Sequence, residues 1–148
     1  MPVIKLILET INKEWEWLGI SAVELIDEND FGNLIFRSDE GTYWRILPES
    51  PECIKIADNQ NEFEKLRTDQ DFQLDWQMET LVTAAKRKLG ELEQGRKYGL
   101  KMPTILGGEY SEENLGTVSQ IEQIGFSGDI ARQIHDLPDG AKVKLKIE

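Results

Sequence analysis

Phe31-Gly-Asn-Leu-Ile-Phe-Arg-Ser-Asp-Glu-Gly-Thr-Tyr-Trp-Arg-Ile-Leu47 is the stretch that decides the fold. Phe31–Arg37 and Thr42–Leu47 are rich in aromatic and large aliphatic residues, which suit a pleated, half-buried surface. Between them, Ser38-Asp-Glu-Gly41 has the composition of a tight turn, with Gly41 able to take positive φ. The two-residue period of a strand puts Tyr43, Arg45 and Leu47 on one face and Thr42, Trp44 and Ile46 on the other. A β-hairpin follows from these features together.

Working outward, Ala22–Ile26 is a short candidate strand before the hairpin. After it, Pro48 and Pro51 break the chain, and Cys53–Ala57 predicts another strand. The result is an antiparallel meander. Further upstream, Ile4, Ile7, Leu8, Ile11, Trp15 and Leu18 follow steps of three and four, which gives an amphipathic helix ending near Gly19. Trp17 lies two residues from Trp15 and is expected to point away from that stripe.

Downstream, Gln60–Leu66 reads as a short helix. Asp71–Leu89 reads as one long helix with Leu74, Met78, Leu81, Ala85 and Leu89 as its seam and Gly90 as its stop. Asp71, Asp75 and Glu79 then fall at successive i, i+4 positions on another face. Lys86, Arg87 and Lys88 occupy the last turns, an order that complements the helix dipole. Residues 90–118, punctuated by six glycines, are the least regular part. Ser119-Gln-Ile-Glu122 is a capping box for a short helix that Gly125 should end. Ser127 or Asp129 would cap a second helix carrying Ile130, Ala131 and Ile134. Pro138-Asp-Gly140 signals a turn. Ala141–Ile147 alternates Val143, Leu145 and Ile147 against three lysines, as an edge strand does. The expected fold is a single α+β domain over residues 1–148, an antiparallel sheet with helices packed mainly on one face.

The chain has 148 residues, enough for one core, and its 39% hydrophobic and 30% charged content is that of a globular protein. No run of 18 apolar residues suggests a membrane span, and the apolar start is interrupted by Lys5 and Glu9 without a cleavage signature, so no signal peptide is expected. Cys53 is the only cysteine. With no internal disulfide possible, a reducing, cytoplasmic location is the expectation. The net charge of −11 is unevenly placed: residues 1–79 hold 7 Lys/Arg and 18 Asp/Glu, whereas residues 80–148 hold 10 of each. Such a field repels nucleic acid and anionic membrane and attracts basic partners.

Candidates for catalysis are few. A single His135 and a single Cys53 offer no paired metal-ligand spacing, so neither metal nor cofactor is expected. His135 suits a favourable charge at a helix end, and Cys53 suits a core position. Gly107-Gly108 is followed by Glu109, Glu112 and Glu113, the wrong charge for a phosphate loop. No nucleophile–base pair stands out, and no catalytic residue is assigned. The acidic line Asp71, Asp75 and Glu79 reads as a solvated helix face, as a landing site for a basic partner or, last, as a divalent-metal site, for which it lacks the loop geometry. Trp15, Trp44 and Trp76 are expected in or near the core, whereas Trp17 is a candidate interface anchor.

A series of short motifs brings a resemblance. Pro103, Leu106-Gly-Gly-Glu-Tyr110, Asn114-Leu-Gly-Thr117, Ser127-Gly-Asp129, Gln133-Ile134 and Asp136-Leu-Pro-Asp-Gly140 follow in order. Upstream stand Phe31-Gly-Asn33, Tyr43-Trp-Arg-Ile46, Pro48-Glu49 and Asp75-Trp-Gln-Met78. From about residue 20 onward the sequence resembles the C-terminal domain of the type VI secretion immunity proteins paired with a DNase effector. The resemblance implies a cytoplasmic protein without enzymatic activity that binds and blocks a cognate toxin. An acidic inhibitor suits a nuclease, whose substrate groove is positive. The expected contact surface combines Asp71, Asp75 and Glu79 with Glu24, Asp27, Glu28, Asp30 and Trp17. The alternative is a small-ligand or carbohydrate-binding module, with the Gly-rich loop of residues 99–116 closing on a pocket lined by Tyr98, Tyr110 and Asn114.

Overall fold

The computed structural model describes residues 3–135 and Leu137. The hairpin forms as β2, Leu34–Ser38, and β3, Tyr43–Leu47, with Phe36 opposite Trp44 and Leu34 opposite Ile46. Gly41 takes φ 81° and its N–H donates to the Ser38 carbonyl at 3.0 Å. β1, Ala22–Glu28, and β4, Glu52–Ala57, complete an antiparallel sheet in the order β1-β2-β3-β4. The meander is as expected. Among the described residues β1 is an edge, and its two register shifts against β2 are bulges that roughen it against further pairing.

β2 starts three residues later than the apolar run suggests. The Asn29 side chain accepts from the N–H groups of Phe31 and Asn33, and this loop absorbs the start of the run. Gly32 has φ 82° there, and a Cβ on it would lie 1.9 Å from Oε1 of Gln123. The positive φ favours glycine, and any side chain there would also displace the Gln123 amide.

Helix α1, Val3–Trp15, buries Ile7, Ile11 and Trp15. The apolar stripe reaches solvent at its N-terminal end, where Ile4 is 59% exposed. Helix α5, Gln120–Ile134, lies against α1, and together they cover Leu34, Phe36 and Ile46 on one sheet face. On the other face Ile35, Tyr43 and Ala57 pack against Phe63 of α2, Gln60–Arg67, with Phe72 and Trp76 of α3, Gln70–Gln77. Tyr43 and Phe63 stack at 4.4 Å. The two long helices share one face, and α2 and α3 add a smaller layer on the other. Each fully buried large side chain in these layers contributes roughly 1.5–3 kcal/mol.

Three readings need correction. Asp71–Leu89 is not one helix: α3 ends at Gln77, Met78 takes a left-handed φ of 47°, and α4 runs Glu79–Leu89. The Asn29 side chain donates to the Trp76 carbonyl at 2.7 Å, so a tertiary hydrogen bond takes the place of the next helical one. Gly125 does not end a helix, because α5 runs unbroken through Gly125 and Gly128. Gly128 serves packing: a Cβ on it would lie 2.7 Å from the Glu14 carbonyl oxygen. The region called least regular contains β5, Arg96–Leu100, and β6, Leu115–Ser119, an antiparallel pair in which Gly99 faces Gly116. This pair shields Phe31, Tyr98 and Leu115 together with Ala85 of α4. The predicted turn at 138–140 and strand at 141–147 lie outside the described residues.

Candidate functional site

The sequence-selected acids divide into two sets. Glu24 binds Arg37 at 3.0 Å, Glu28 binds Lys97 at 2.8 Å, and Asp75 binds Arg45 at 2.6 Å. Their charges are locally compensated. Asp27, Asp30, Asp71 and Glu79 are exposed and form no ion pair among the described residues. Asn29 joins these acids in space. It follows Glu28 at the end of β1 and precedes Asp30, and its side chain holds Trp76 and Met78, the residues flanking Asp75 and Glu79. The end of β1 and the α3–α4 junction therefore form one acidic rim. Asp71 sits one turn earlier on α3, and Glu24 belongs to the far end of β1. With the helix broken at Met78, Asp71, Asp75 and Glu79 do not share a single helix face.

Beneath the rim runs a polar network that sequence reasoning missed. Arg45 is only 5% exposed. Its Nε donates to Asn33 Oδ1 at 2.9 Å, its Nη1 reaches Asp75, and its guanidinium lies 5.1 Å from the Trp76 ring centroid. Asn33 Nδ2 in turn donates to Glu49 at 2.8 Å. Burial holds the Glu49 carboxyl above its ordinary pKa, against the opposing pull of a backbone hydrogen bond, Asn33 and Arg45. The signal was visible in the strand pattern, which placed Arg45 on the same face as Tyr43. An arginine among inward positions demands partners, and Asn33, Glu49 and Asp75 supply them.

Trp17 does not point away from the apolar stripe. α1 stops at Trp15, and a single 3-10 turn, Glu16–Leu18, swings Trp17 back to stack on Trp15 at 6.0 Å. Its other edge meets His135, which stands at the C-terminal end of α5. It is remote in the fold from the acidic rim, on the α1–α5 side. Cys53 sits in β4, and burial pushes its thiol up to about 12, so it is protonated and unreactive at neutral pH.

The alternative ligand set does not assemble. Tyr98 is 1% exposed, and its hydroxyl donates to the Gly90 carbonyl. The Asn114 side chain clasps the loop, accepting from Met102 N–H and donating to the carbonyls of Met102 and Glu109. Tyr110 is 56% exposed. The loop's turn, Pro103–Gly108, is closed by backbone hydrogen bonds and docks through Thr104 N–H on the Glu49 carbonyl at 2.9 Å. Two open grooves flank α5 instead, of about 1000 and 320 Å³, and none of the three residues lines either. Among the described residues no cluster of three His, Cys, Asp or Glu could hold a metal ion. No helix among them is long and apolar enough to cross a membrane.

No curated protein matches the chain. A protein-family model described as T6SS immunity protein Tdi1, C-terminal, matches residues 57–131, which is 75 of the 148. That segment runs from the end of β4 to Ala131 in α5, and the strands outside it are bonded to it through Arg45 of β3 to Asp75 and Glu28 of β1 to Lys97. The chain belongs to this type VI secretion immunity family.

Proposed function

We propose that this member of the type VI secretion immunity family binds a cognate toxin that is a basic nuclease, and silences it by covering the groove that holds nucleic acid, with no catalysis of its own. The observation that carries the reading is the unbalanced acidic rim. Five of the seven bases in residues 1–79 are tied up in ion pairs within that half, which leaves the excess of carboxylates to set the field. A nuclease must present positive charge to phosphates. Asp27, Asp30, Asp71 and Glu79 offer carboxylates in their place and steer the encounter over about a Debye length. Glu28 and Asp75 border that surface and are held by Lys97 and Arg45, and Glu24 extends the acidic surface along β1. The cytoplasm, where a nuclease meets DNA, is the compartment in which this inhibitor would act.

The partner is identified by capture on the immobilised chain from extract of the native cell at low and at high salt, followed by mass spectrometry. A basic nuclease retained at low salt and released at high salt is the expected result. A retained partner that is acidic, or indifferent to salt, would overturn the nuclease reading. Placement on the rim is tested with Asp30→Lys/Glu79→Lys, which should slow association about tenfold and flatten its salt dependence. Asp75 is unsuited to this test, because reversing it would strand the buried Arg45. Association kinetics identical to wild type would remove the rim as the contact.

A further inference from the structure

The two grooves beside α5 adjoin and, taken together, offer a channel that the acidic rim does not use. They meet at Pro51, which lines both. Between them they follow α5 from Glu122 to His135, about 20 Å at the helical rise. That length accommodates about six residues of extended chain. The opposite wall is stiff. It consists of Pro48, Pro51 and the Pro103 turn, and the Thr104–Glu49 and Gly108–Pro103 backbone hydrogen bonds pin it. A groove held this way loses little entropy when it is filled.

Its surface is apolar where a partner could reach it. Phe126 projects from α5 at 44% exposure, although the helix's other side is buried against α1. Ile105, on the turn that borders the second groove, is 54% exposed. Trp17 and Ile134 continue the wall toward His135. The charges along the channel are one-sided. Asp129 and Arg132 neutralise each other at 2.6 Å. Glu14, Glu122 and Glu52 form no ion pair among the described residues, and the bases beside them are Lys13 and, at the far end, His135.

We propose that this channel seats a short extended segment of the toxin that carries lysine or arginine beside a large apolar side chain. The apolar chain enters beside Phe126 and Ile105, and the cations meet Glu14, Glu122 and Glu52. This rests on the toxin-binding reading and adds a second, apolar anchor to the charged contact at the rim. Steering by the rim sets the on-rate, whereas burial of an anchor in the channel sets the off-rate. It also gives Trp17 a place at an interface, on the channel wall.

The test is a titration of the isotopically labelled full chain, followed by amide NMR shifts, with a twelve-residue peptide repeating Lys-Leu-Lys-Trp. Two control peptides repeat Glu-Leu-Glu-Trp and Lys-Gly-Lys-Ser. The first peptide should shift the amides of residues 122–132 and 49–54 saturably, and neither control should. Phe126→Ser and Ile105→Ser, both at exposed positions that leave the core intact, should each weaken the peptide at least fivefold. Equal response to all three peptides, shifts confined to residues 27–30 and 75–79, or unchanged affinity in both variants would overturn the proposal. So would a doubling of mass with concentration that Phe126→Ser abolishes, since a second copy would then be the occupant. The captured toxin separates the two readings. If Phe126→Ser/Ile105→Ser releases it no faster than wild type, the channel falls and the immunity reading stands. If no toxin is retained by any form while the peptide still fills the channel, the immunity reading falls and the ligand chemistry of the channel stands.

Discussion

Arg45 shows how one residue ties the molecule together. A guanidinium on the packed face of a strand costs several kcal/mol to desolvate unless its donors are met. Asn33, Asp75 and the Trp76 ring meet them, and Asn33 passes the network on to Glu49. The hub is Asn33, since its oxygen serves Arg45 and its nitrogen serves Glu49. Asn33→Ala should therefore leave two buried groups, the Arg45 guanidinium and the Glu49 carboxyl, short of a partner and cost about 3 kcal/mol, read as a fall in the urea midpoint at constant slope. A loss under half a kilocalorie would show the network to be incidental. Glu49 gives a second expectation. Its folded pKa lies above its ordinary value, so between the two the native state holds more protons than the unfolded chain. Its contribution to stability is thus fully present below the unfolded pKa and is lost as pH rises through the folded one. Glu49→Gln keeps the shape and removes the titration. Stability of wild type relative to this variant should decline with rising pH across that window and level off above it. A difference that grows with pH would contradict the assignment of burial as the dominant cause.

At the scale of elements, glycine was the residue most easily misread. Gly41 was legible because its place between two apolar strands leaves it no other role, and it takes the positive φ expected. Gly125 looked like a helix end, and Gly128 fell between candidate caps of a second helix, because local propensity is all that a linear pattern offers. Their meaning lies in α1, more than a hundred residues earlier in the chain. A Cβ at Gly128 would meet the Glu14 backbone at 2.7 Å, whereas one at Gly125 would find Glu14 carbons at 3.8 Å or more. The two positions should respond oppositely to alanine. Gly128→Ala must push α1 and α5 apart and should lose about 2 kcal/mol. Gly125→Ala gains helix propensity without a clash and should be stabilising by up to about 1 kcal/mol. Thermal denaturation of the pair decides this, and equal destabilisation by both would mean that α5 is not continuous. The break at Met78 escaped the sequence for the same reason. The apolar spacing runs smoothly through it, and only the long-range hydrogen bond from Asn29 reveals why the helix stops. The β5–β6 pair was hidden because Gly99 and Gly116 have no side chains to show alternation, yet they face each other in its ladder.

For the whole molecule, the meander, the first helix and the location of the acidic excess were all legible, because each rests on local periodicity or on composition. The rim and the channel were not, because both arise where distant segments meet: β1 with the α3–α4 junction, and α5 with the Pro48–Pro51 and Pro103–Gly108 turns. The sequence did locate the acids, and the structure divides them into those that hold the fold and those left uncompensated. That division carries a cost for the free protein, since unpaired like charges repel in the compact state. Among the rim residues, Asp71 and Glu79 lie in the first turns of α3 and α4, where the helix dipole favours them, so their removal mixes two opposing effects. Asp27 and Asp30 have no such compensation. Asp27→Asn/Asp30→Asn keeps side-chain size and hydrogen-bonding capacity and removes two charges from the rim. At low ionic strength, where the Debye length is ~30 Å, the variant should melt higher than wild type. At 1 M salt, where it shrinks to ~3 Å, the two should melt together. The same variant should bind the toxin more slowly, so the charges that weaken the free protein are those that speed its encounter. A variant that melts lower at every salt concentration would show that these carboxylates support the fold, and the rim would then lose its claim as a surface kept for a partner.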